Sequence, residues 1–123
     1  MKIALPVEEK ILNTPVCVSF GRTPLFVIFD TENGEFEFID NSAAASQGGA
    51  GIKAAQILVD KGAKAVITFR CGENAAAVLK PTEITLYKAV DGTAFDNIEK
   101  FRLGELSLLN NIHPGFHNHG GKE

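Results

Sequence analysis

The chain has no tryptophan, only two cysteines and no apolar run that approaches the roughly 20 residues of a membrane span. Its 12 basic and 15 acidic residues give a net charge of −3, which argues against a basic surface, so we expect no nucleic-acid or membrane partner. Two cysteines do not indicate a disulfide framework here. The opening MKIALPVEEK is typical of a first strand rather than an export signal, and we expect a cytoplasmic protein.

A length of 123 residues predicts a single domain. Beyond Leu109 the sequence turns polar and rich in glycine. We therefore predict a domain over 1–109 and a flexible tail over 110–123 that contains histidine and glycine.

Runs rich in β-branched and aromatic residues predict five strands, at 2–7, 25–30, 35–41, 63–69 and 83–89. The second of these, LFVIFD, is almost continuously apolar, as is typical of a strand covered on both faces. The Asn33-Gly34 pair after it indicates a hairpin turn. In the third strand, strict alternation places Phe36 and Phe38 on one face.

Helical periodicity begins at Ala50, after a loop over 42–49. It predicts a helix on which one face carries Ile52, Ala55, Gln56 and Val59, and Leu58 lies at the margin of that face. Gly62 fits the position just past the end of this helix. A short helix is expected over 74–80, ended by Pro81, and a third over 94–106. In the third helix the residues at helical spacing are Phe95, Ile98, Phe101 and Arg102.

The predicted order is β-β-β-α-β-α-β-α, an α/β fold with a mixed five-stranded sheet and flanking helices. The first three strands would form an antiparallel meander, and the later strand–helix–strand units need parallel pairing. This is the element order of ribonuclease-H-like folds. Nuclease chemistry is not expected, because the first strand lacks the metal-binding carboxylate that it needs. Asp30 and Asp40 are interpreted as turn residues.

Two glycine-bearing turns are the most informative feature of the chain. One spans 47–51 and the other 69–74, and each lies between a β-rich run and a helical run. A helix N-terminus carries unpaired N–H groups and positive potential, and glycine lets a ligand approach that backbone. Two such turns at one sheet edge would form an anion pocket, to which the second turn would bring Cys71.

Three candidate features each allow two interpretations. Cys71 is either a ligand at this pocket or a small buried hydrophobic residue. Arg22 either offers a fork of donors to an anion or pairs with a surface carboxylate. The tail residues His113, His117 and His119 either bind a metal ion or belong to a solvated tail with adventitious affinity. Phosphate-loop and dinucleotide motifs are absent, and Ser19, Ser42 and Ser46 have no upstream histidine, so we expect no enzyme.

The chain resembles the dinitrogenase iron–molybdenum cofactor biosynthesis family, which includes nitrogenase accessory proteins and small stand-alone relatives. The matching segments are the opening KIALPV, the Phe20-Gly21-Arg22 turn before LFVIFD, the GGAGI run that leads into AAQILVDKGAKAVIT, the Gly72-x-Asn74-Ala75 turn, and EITLY. They occur in the family's order over roughly 1–90. The resemblance implies a ribonuclease-H-like fold.

The resemblance also implies a protein that binds or carries an iron–sulfur-type or iron–molybdenum-type cluster, with a donor or acceptor protein in cluster assembly as a possible partner. Cys71 would supply a thiolate and Arg22 charge. Ser19 stands where many relatives have histidine. The cofactor-binding set that the resemblance and the turns together suggest is Ser19, Gly21, Arg22, Gly48, Gly49, Gly51, Cys71, Gly72 and Asn74. The alternative is a small regulatory or adaptor domain that binds an organic anion or a protein partner.

Overall fold

The computed structural model describes residues 1–109, which form a five-stranded sheet with three α-helices. The strands are β1 (Lys2–Val7), β2 (Leu25–Asp30), β3 (Phe36–Asp40), β4 (Ala63–Thr68) and β5 (Thr85–Lys88). The helices are α1 (Ala50–Asp60), α2 (Glu73–Leu79) and α3 (Ala94–Arg102), with short 3₁₀ turns at Ser42–Ala45 and Lys80–Thr82. The predicted α/β class and element order are confirmed, except that the first 3₁₀ turn lies where a plain loop was predicted.

The strands are arranged in the order β3-β2-β1-β4-β5. β2 pairs antiparallel with both β1 and β3, whereas β4 pairs parallel with both β1 and β5. The predicted meander and parallel crossovers are therefore confirmed. Because Val7 lies opposite Leu25 and Leu25 opposite Asp40, the carboxyl ends of β1, β3 and β4 and the amino end of β2 meet at one edge of the sheet. The predicted glycine-bearing turns both follow strands that end there.

The sheet is covered on both faces. Alternate residues of its central strands enter two separate apolar cores, one shared with α1 and α2 and the other with α3. The first core contains Ala4, Phe26, Ile28 and Val66, and the second contains Ile3, Leu5, Val27 and Ile67. This alternation explains why LFVIFD is apolar at nearly every position, as the sequence predicted.

The hairpin between β2 and β3 forms as predicted. Gly34 adopts a left-handed φ of +78°, and its N–H donates to the Asp30 carbonyl at 2.8 Å. The Asp30 carboxylate accepts the Glu32 N–H, which confirms its interpretation as a turn residue. Phe36 and Phe38 pack edge to face at 5.8 Å between ring centroids.

The predicted face of α1 is wrong at two of its four positions, whereas Val59 packs partly buried against the first core as predicted. Ala55 is buried as predicted, but Ile52 is exposed and Gln56 lies outward, donating to Asp60 at 3.0 Å. The residues that α1 buries are Ala50, Ala54, Ala55 and Leu58. Small side chains face inward because α1 lies close to α2: a Cβ atom on Gly51 would meet the Ala75 Cβ at 3.4 Å.

Helix α3 is shorter than predicted, and its buried face matches the predicted one only in part. Phe101 packs partly buried against the second core, as its spacing predicted. Gly104, at a φ of +74°, follows its last turn, so the helix stops before residue 106. Ile98 is buried, but the Phe95 side chain is half exposed, and the other buried positions are Ala94 and Asn97. A capping box fixes the start of the helix, with the Thr93 hydroxyl accepting the Asp96 N–H.

Candidate functional site

Three turns converge on one cavity at the sheet edge described above. The cavity has a volume of about 460 Å³, within the range of small-ligand sites. One wall is the segment 18–21 before β2, a second is the start of α1, and a third is the segment 70–75 between β4 and α2. The lining residues are Val18, Ser19, Phe20, Gly21, Gly49, Ala50, Gly51, Ile52, Arg70, Cys71, Gly72, Glu73, Asn74 and Ala75. We refer to this space as the glycine cavity.

The first wall is held against α1 by a backbone contact that only glycine permits. A Cβ atom on Gly21 would lie 2.8 Å from the Gly51 nitrogen and 2.9 Å from the Gly51 Cα. On its other side the turn is tethered by Asn41, whose amide donates to the carbonyls of Gly21 and Thr23 at 3.0 and 2.8 Å. Gly21 therefore lines the cavity and also sets how closely the first two walls approach.

The start of α1 presents backbone donors to the cavity. Gly49 is the N-cap residue in a left-handed conformation, with a φ of +69°, and it has no side chain to cap the helix. The helical ladder begins where the Lys53 N–H donates to the Gly49 carbonyl. Ala50, Gly51 and Ile52, whose amides precede that bond, line the cavity at the positive end of the helix dipole.

The third wall repeats this arrangement at α2. Gly72 is the N-cap of α2, again without a side-chain cap, and the Ala76 N–H donates to its carbonyl. The buried Thr68 hydroxyl donates to the Arg70 carbonyl at 3.1 Å and so fixes the turn that follows β4. A Cβ atom on Gly72 would meet nothing within 4 Å, because this residue faces open space. Asn74 lines the same wall.

Cys71 lies in this wall, but its side chain belongs to the core. The residue is fully buried in the apolar cluster beneath α1 and α2, and its Sγ contacts the Gly72 carbonyl at 3.6 Å. Burial raises the pKa of the Cys71 thiol to about 11. The thiol is thus protonated near neutral pH, and coordination by Cys71 would require a metal to displace that proton. Cys17 is also buried, as free cysteine commonly is when it acts as a small hydrophobic residue.

Three predicted residues have other surroundings or roles in the structure. Arg22 is absent from the cavity lining, and its guanidinium donates to the carbonyls of Ala44 and Ser46 at 2.9 and 2.7 Å. These two bonds hold the 3₁₀ turn at Ser42–Ala45 in place, and their acceptors are backbone carbonyls rather than a surface carboxylate. Ser19 lines the cavity, but its hydroxyl accepts the Arg22 N–H. Gly48 lies just outside the lining.

Seven residues of the wall lie outside the predicted cofactor-binding set: Val18, Phe20, Ala50, Ile52, Arg70, Glu73 and Ala75. Arg70 and Glu73 bring opposite charges to the cavity, and Val18 and Ile52 contribute exposed apolar side chains, 66% and 42% exposed. Arg70 and Glu73 flank Cys71 and Gly72 in sequence, so their position within the second turn was a usable signal. Val18 carried no such signal, because only the fold brings its segment to the other two turns.

Metal ligands are sparse in the part of the chain that the structure describes. Among residues 1–109, no group of three or more His, Cys, Asp or Glu side chains could hold a metal ion. The predicted ligands His113, His117 and His119, and the predicted tail, lie outside the described residues. None of the helices in residues 1–109 is long and apolar enough to span a membrane.

Several solved structures share this fold. The apo form of the orange protein from Desulfovibrio gigas is 28% identical, with a TM-score of 0.86 over 92% of this chain and 96% of that chain. A NifB-like protein from Thermotoga, a member of the DUF35 family, is 33% identical, with a TM-score of 0.81 over 94% of this chain and 98% of that one. A dinitrogenase-like protein from Methanocaldococcus jannaschii is 22% identical with a TM-score of 0.68, over 90% of this chain and 96% of that one, and shows the fold alone.

A search of curated proteins finds no match. The profile of the family described as dinitrogenase iron-molybdenum cofactor matches residues 1–104, a span that contains all three walls of the glycine cavity. This match covers most of the chain and confirms the resemblance drawn from the ordered motifs. The chain therefore belongs to the dinitrogenase iron–molybdenum cofactor family.

Proposed function

We propose that this protein is a non-catalytic carrier that binds an anionic metal–sulfur cluster, of iron–sulfur or iron–molybdenum type, in the glycine cavity. The observation that carries the proposal is the convergence of two uncapped helix starts, at Gly49 and Gly72, on one cavity. Backbone N–H groups grouped in this way bind anions, including the sulfides of iron–sulfur clusters.

The donor set fits a cluster that arrives already assembled. Cys71 is the one thiol in the wall, and it is buried and protonated, so the described residues cannot supply a full set of thiolates. A cluster that keeps its own sulfides needs only hydrogen-bond donors, and the amides of Ala50, Gly51 and Ile52 are placed to provide them. Binding without several metal–protein bonds also suits a carrier that must release its cargo.

Charge in the cavity is balanced rather than purely positive. Arg70 adds a cation to the helix-start potential, and Glu73 adds an anion in the first turn of α2. The exposed side chains of Val18 and Ile52 give the mouth an apolar border that suits a soft, polarisable sulfide surface. Membership of the cofactor family supports cargo of this class. The strand order supports the ribonuclease-H-like assignment, and the cytoplasmic location stays a prediction.

Anaerobic reconstitution with iron and sulfide tests the proposal, followed by visible absorption and metal analysis. The informative variant is Gly72→Val, because a Cβ atom there meets nothing within 4 Å and the residue lines the cavity, so the added side chain should take space that a ligand would use. Loss of one close backbone contact should weaken cluster retention about tenfold. The matched control is Gly48→Val, since a Cβ there also meets nothing within 4 Å but lies outside the lining.

Cys71→Ser, with Cys17→Ser as its control, then distinguishes binding by backbone N–H donors from coordination by the Cys71 thiol. Retention by Cys71→Ser together with loss in Gly72→Val would assign binding to the backbone donors. Loss in both would add the thiol as a ligand. If the wild type takes up no iron and sulfide while phosphate or a carboxylate raises its melting temperature, the proposal is overturned in favour of an adaptor domain that binds an organic anion.

A further inference from the structure

Arg22 lies outside the lining of the glycine cavity, yet its hydrogen bonds join the segments that form the first two walls. Its backbone N–H donates to the Ser19 hydroxyl at 3.1 Å, which closes the turn of the first wall. Its guanidinium Nη1 donates to the carbonyls of Ala44 and Ser46 at 2.9 and 2.7 Å. Arg22 therefore connects the first wall to the segment that precedes α1.

Ser46 is the point where this connection reaches α1. The Lys53 Nζ, on α1, donates to the Ser46 hydroxyl at 3.1 Å, and the Ser46 N–H donates to the Ala43 carbonyl at 3.0 Å at the end of the 3₁₀ turn. Only two residues separate Ser46 from Gly49, the N-cap of α1. The position of Ser46 therefore limits where the first amides of α1 can lie.

The two walls meet in a contact that tolerates little displacement. A Cβ atom on Gly21 would lie 2.8 Å from the Gly51 nitrogen. The Asn41 amide holds the Gly21 carbonyl from the other side at 3.0 Å, and Arg22 is the next residue of that turn. Bonds made by Asn41 and by Arg22 thus fasten one turn to the chain before α1 at two places, so the spacing of the two walls depends on both.

The direction of the Arg22 bonds argues for placement rather than for charge. A single nitrogen makes both side-chain bonds, and both acceptors are neutral backbone carbonyls outside the cavity lining. A lysine would keep the positive charge, but its side chain is shorter and lacks the planar guanidinium, so it should not hold both carbonyls. Lysine at this position therefore separates the effect of charge from that of placement.

We propose that Arg22 is a positioning residue for the glycine cavity, which holds the segment 44–46 so that the start of α1 stays against the first wall. It acts on a ligand only through the amides of Ala50, Gly51 and Ile52, which it does not contact in the bonds described above. The placement of α1 is a property of the cluster-free protein. Its effect on cluster retention rests on the proposed carrier function.

NMR of the cluster-free protein tests the placement. In Arg22→Gln the amides of Ala44 and Ser46 should exchange with solvent about fivefold faster than in the wild type, and the Gly51 amide resonance should shift. Arg22→Lys should show the same changes. The control is Arg102→Gln, which removes another exposed arginine, paired with Glu99 on α3, and should leave these amides unchanged. Wild-type exchange rates, or an unmoved Gly51 resonance, in Arg22→Gln would overturn the proposal whether or not a cluster binds.

Reconstitution with iron and sulfide tests the consequence for the cargo. Arg22→Gln should release the cluster about five- to tenfold faster than the wild type, and the visible circular dichroism of the bound cluster should change because the wall beside it has moved. Arg22→Lys should behave like Arg22→Gln. Wild-type retention in either variant would overturn the proposal, and wild-type retention in the lysine variant alone would assign the role to charge.

Urea denaturation separates placement from a general loss of structure. Arg22 is exposed, so its two variants should unfold at the same urea concentration as Arg102→Gln. A lower midpoint for both Arg22 variants would assign a purely structural role and overturn the proposal. If the wild type takes up no iron and sulfide, the carrier function fails, and the cluster-free measurements alone decide the role of Arg22.

Discussion

Replacing Gly21 by alanine tests the contact that positions the first wall of the glycine cavity. The new methyl group would lie 2.8 Å from the Gly51 nitrogen and 3.1 Å from the Ala50 carbonyl carbon. These are backbone atoms of the first turn of α1, which is anchored by buried Ala50, Ala54 and Leu58. Neither side can yield easily, because Asn41 holds the Gly21 turn from behind.

The size of the effect follows from this overlap. Forcing a methyl group into a packed contact costs about 1–3 kcal/mol. For a domain of this length, about 4 °C of melting temperature corresponds to 1 kcal/mol, so Gly21→Ala should melt about 4–12 °C below the wild type. Thermal unfolding followed by circular dichroism measures the shift, and urea titration gives the free energy of unfolding independently.

The comparison variant is Gly48→Ala, where an added Cβ meets nothing within 4 Å. Its free energy of unfolding should stay within about 0.5 kcal/mol of the wild type. If Gly21→Ala melts within about a degree of the wild type, or if the two variants lose equal stability, the Gly21 turn and the start of α1 do not make the close backbone contact between Gly21 and Gly51.

Buried groups elsewhere give three further predictions. In a Cys17→Ser background, alkylation of Cys71 should be slow at pH 8. At that pH a thiol of pKa about 11 is ionised in about 1 of 1000 molecules, whereas a thiol with the ordinary pKa of 9.0 is ionised in about 1 of 10. Rapid labelling at pH 8 would contradict the burial of Cys71. Because the pKa of Cys71 is higher in the folded than in the unfolded chain, its contribution to the free energy of unfolding is fully present below pH 9 and is lost as the pH rises towards 11. Urea denaturation should detect this decline in the wild type and not in Cys71→Ser. Asn97→Ala should lower the free energy of unfolding by about 2–4 kcal/mol, because the buried Asn97 amide pairs with both the N–H and the carbonyl of Val90. A loss below about 1 kcal/mol would refute that role.

Features that depend on neighbouring residues were predictable from the sequence. The hairpin at Asn33-Gly34, the helix end at Gly62 and the doubly covered strand LFVIFD all form as expected. Each follows from local backbone preference or from alternation along one strand. The meeting of the two glycine-bearing turns was also predictable: an antiparallel meander makes β3 run in the same direction as β1, and β4 pairs parallel with β1, so β3 and β4 end at the same sheet edge.

Features that depend on side-chain direction were not predictable in the same way. Hydrophobic spacing placed Ile52 and Phe95 on the buried faces, yet α1 buries three alanines and Leu58, and α3 buries Ala94 and Asn97 beside Ile98. Where α1 meets α2, at Gly51 and Ala75, close packing leaves room only for small residues. Asn97 is buried because it satisfies the backbone of the preceding loop. Arg22 and Cys71 carried the right chemistry for an anion site, but one supports the neighbouring loop and the other enters the core.

The sequence by itself determined the element order, the sheet topology that this order allows, the two glycine-bearing turns and the family, since all of these are written in local pattern and linear order. Tertiary structure alone decided which groups face the glycine cavity. It brought the wall of residues 18–21, of which the sequence had suggested only Ser19 and Gly21, against the other two turns, and it turned the Cys71 thiol away from solvent. The physical reason is that a side chain's direction and burial are set by the elements packed around it, which lie far away in the chain.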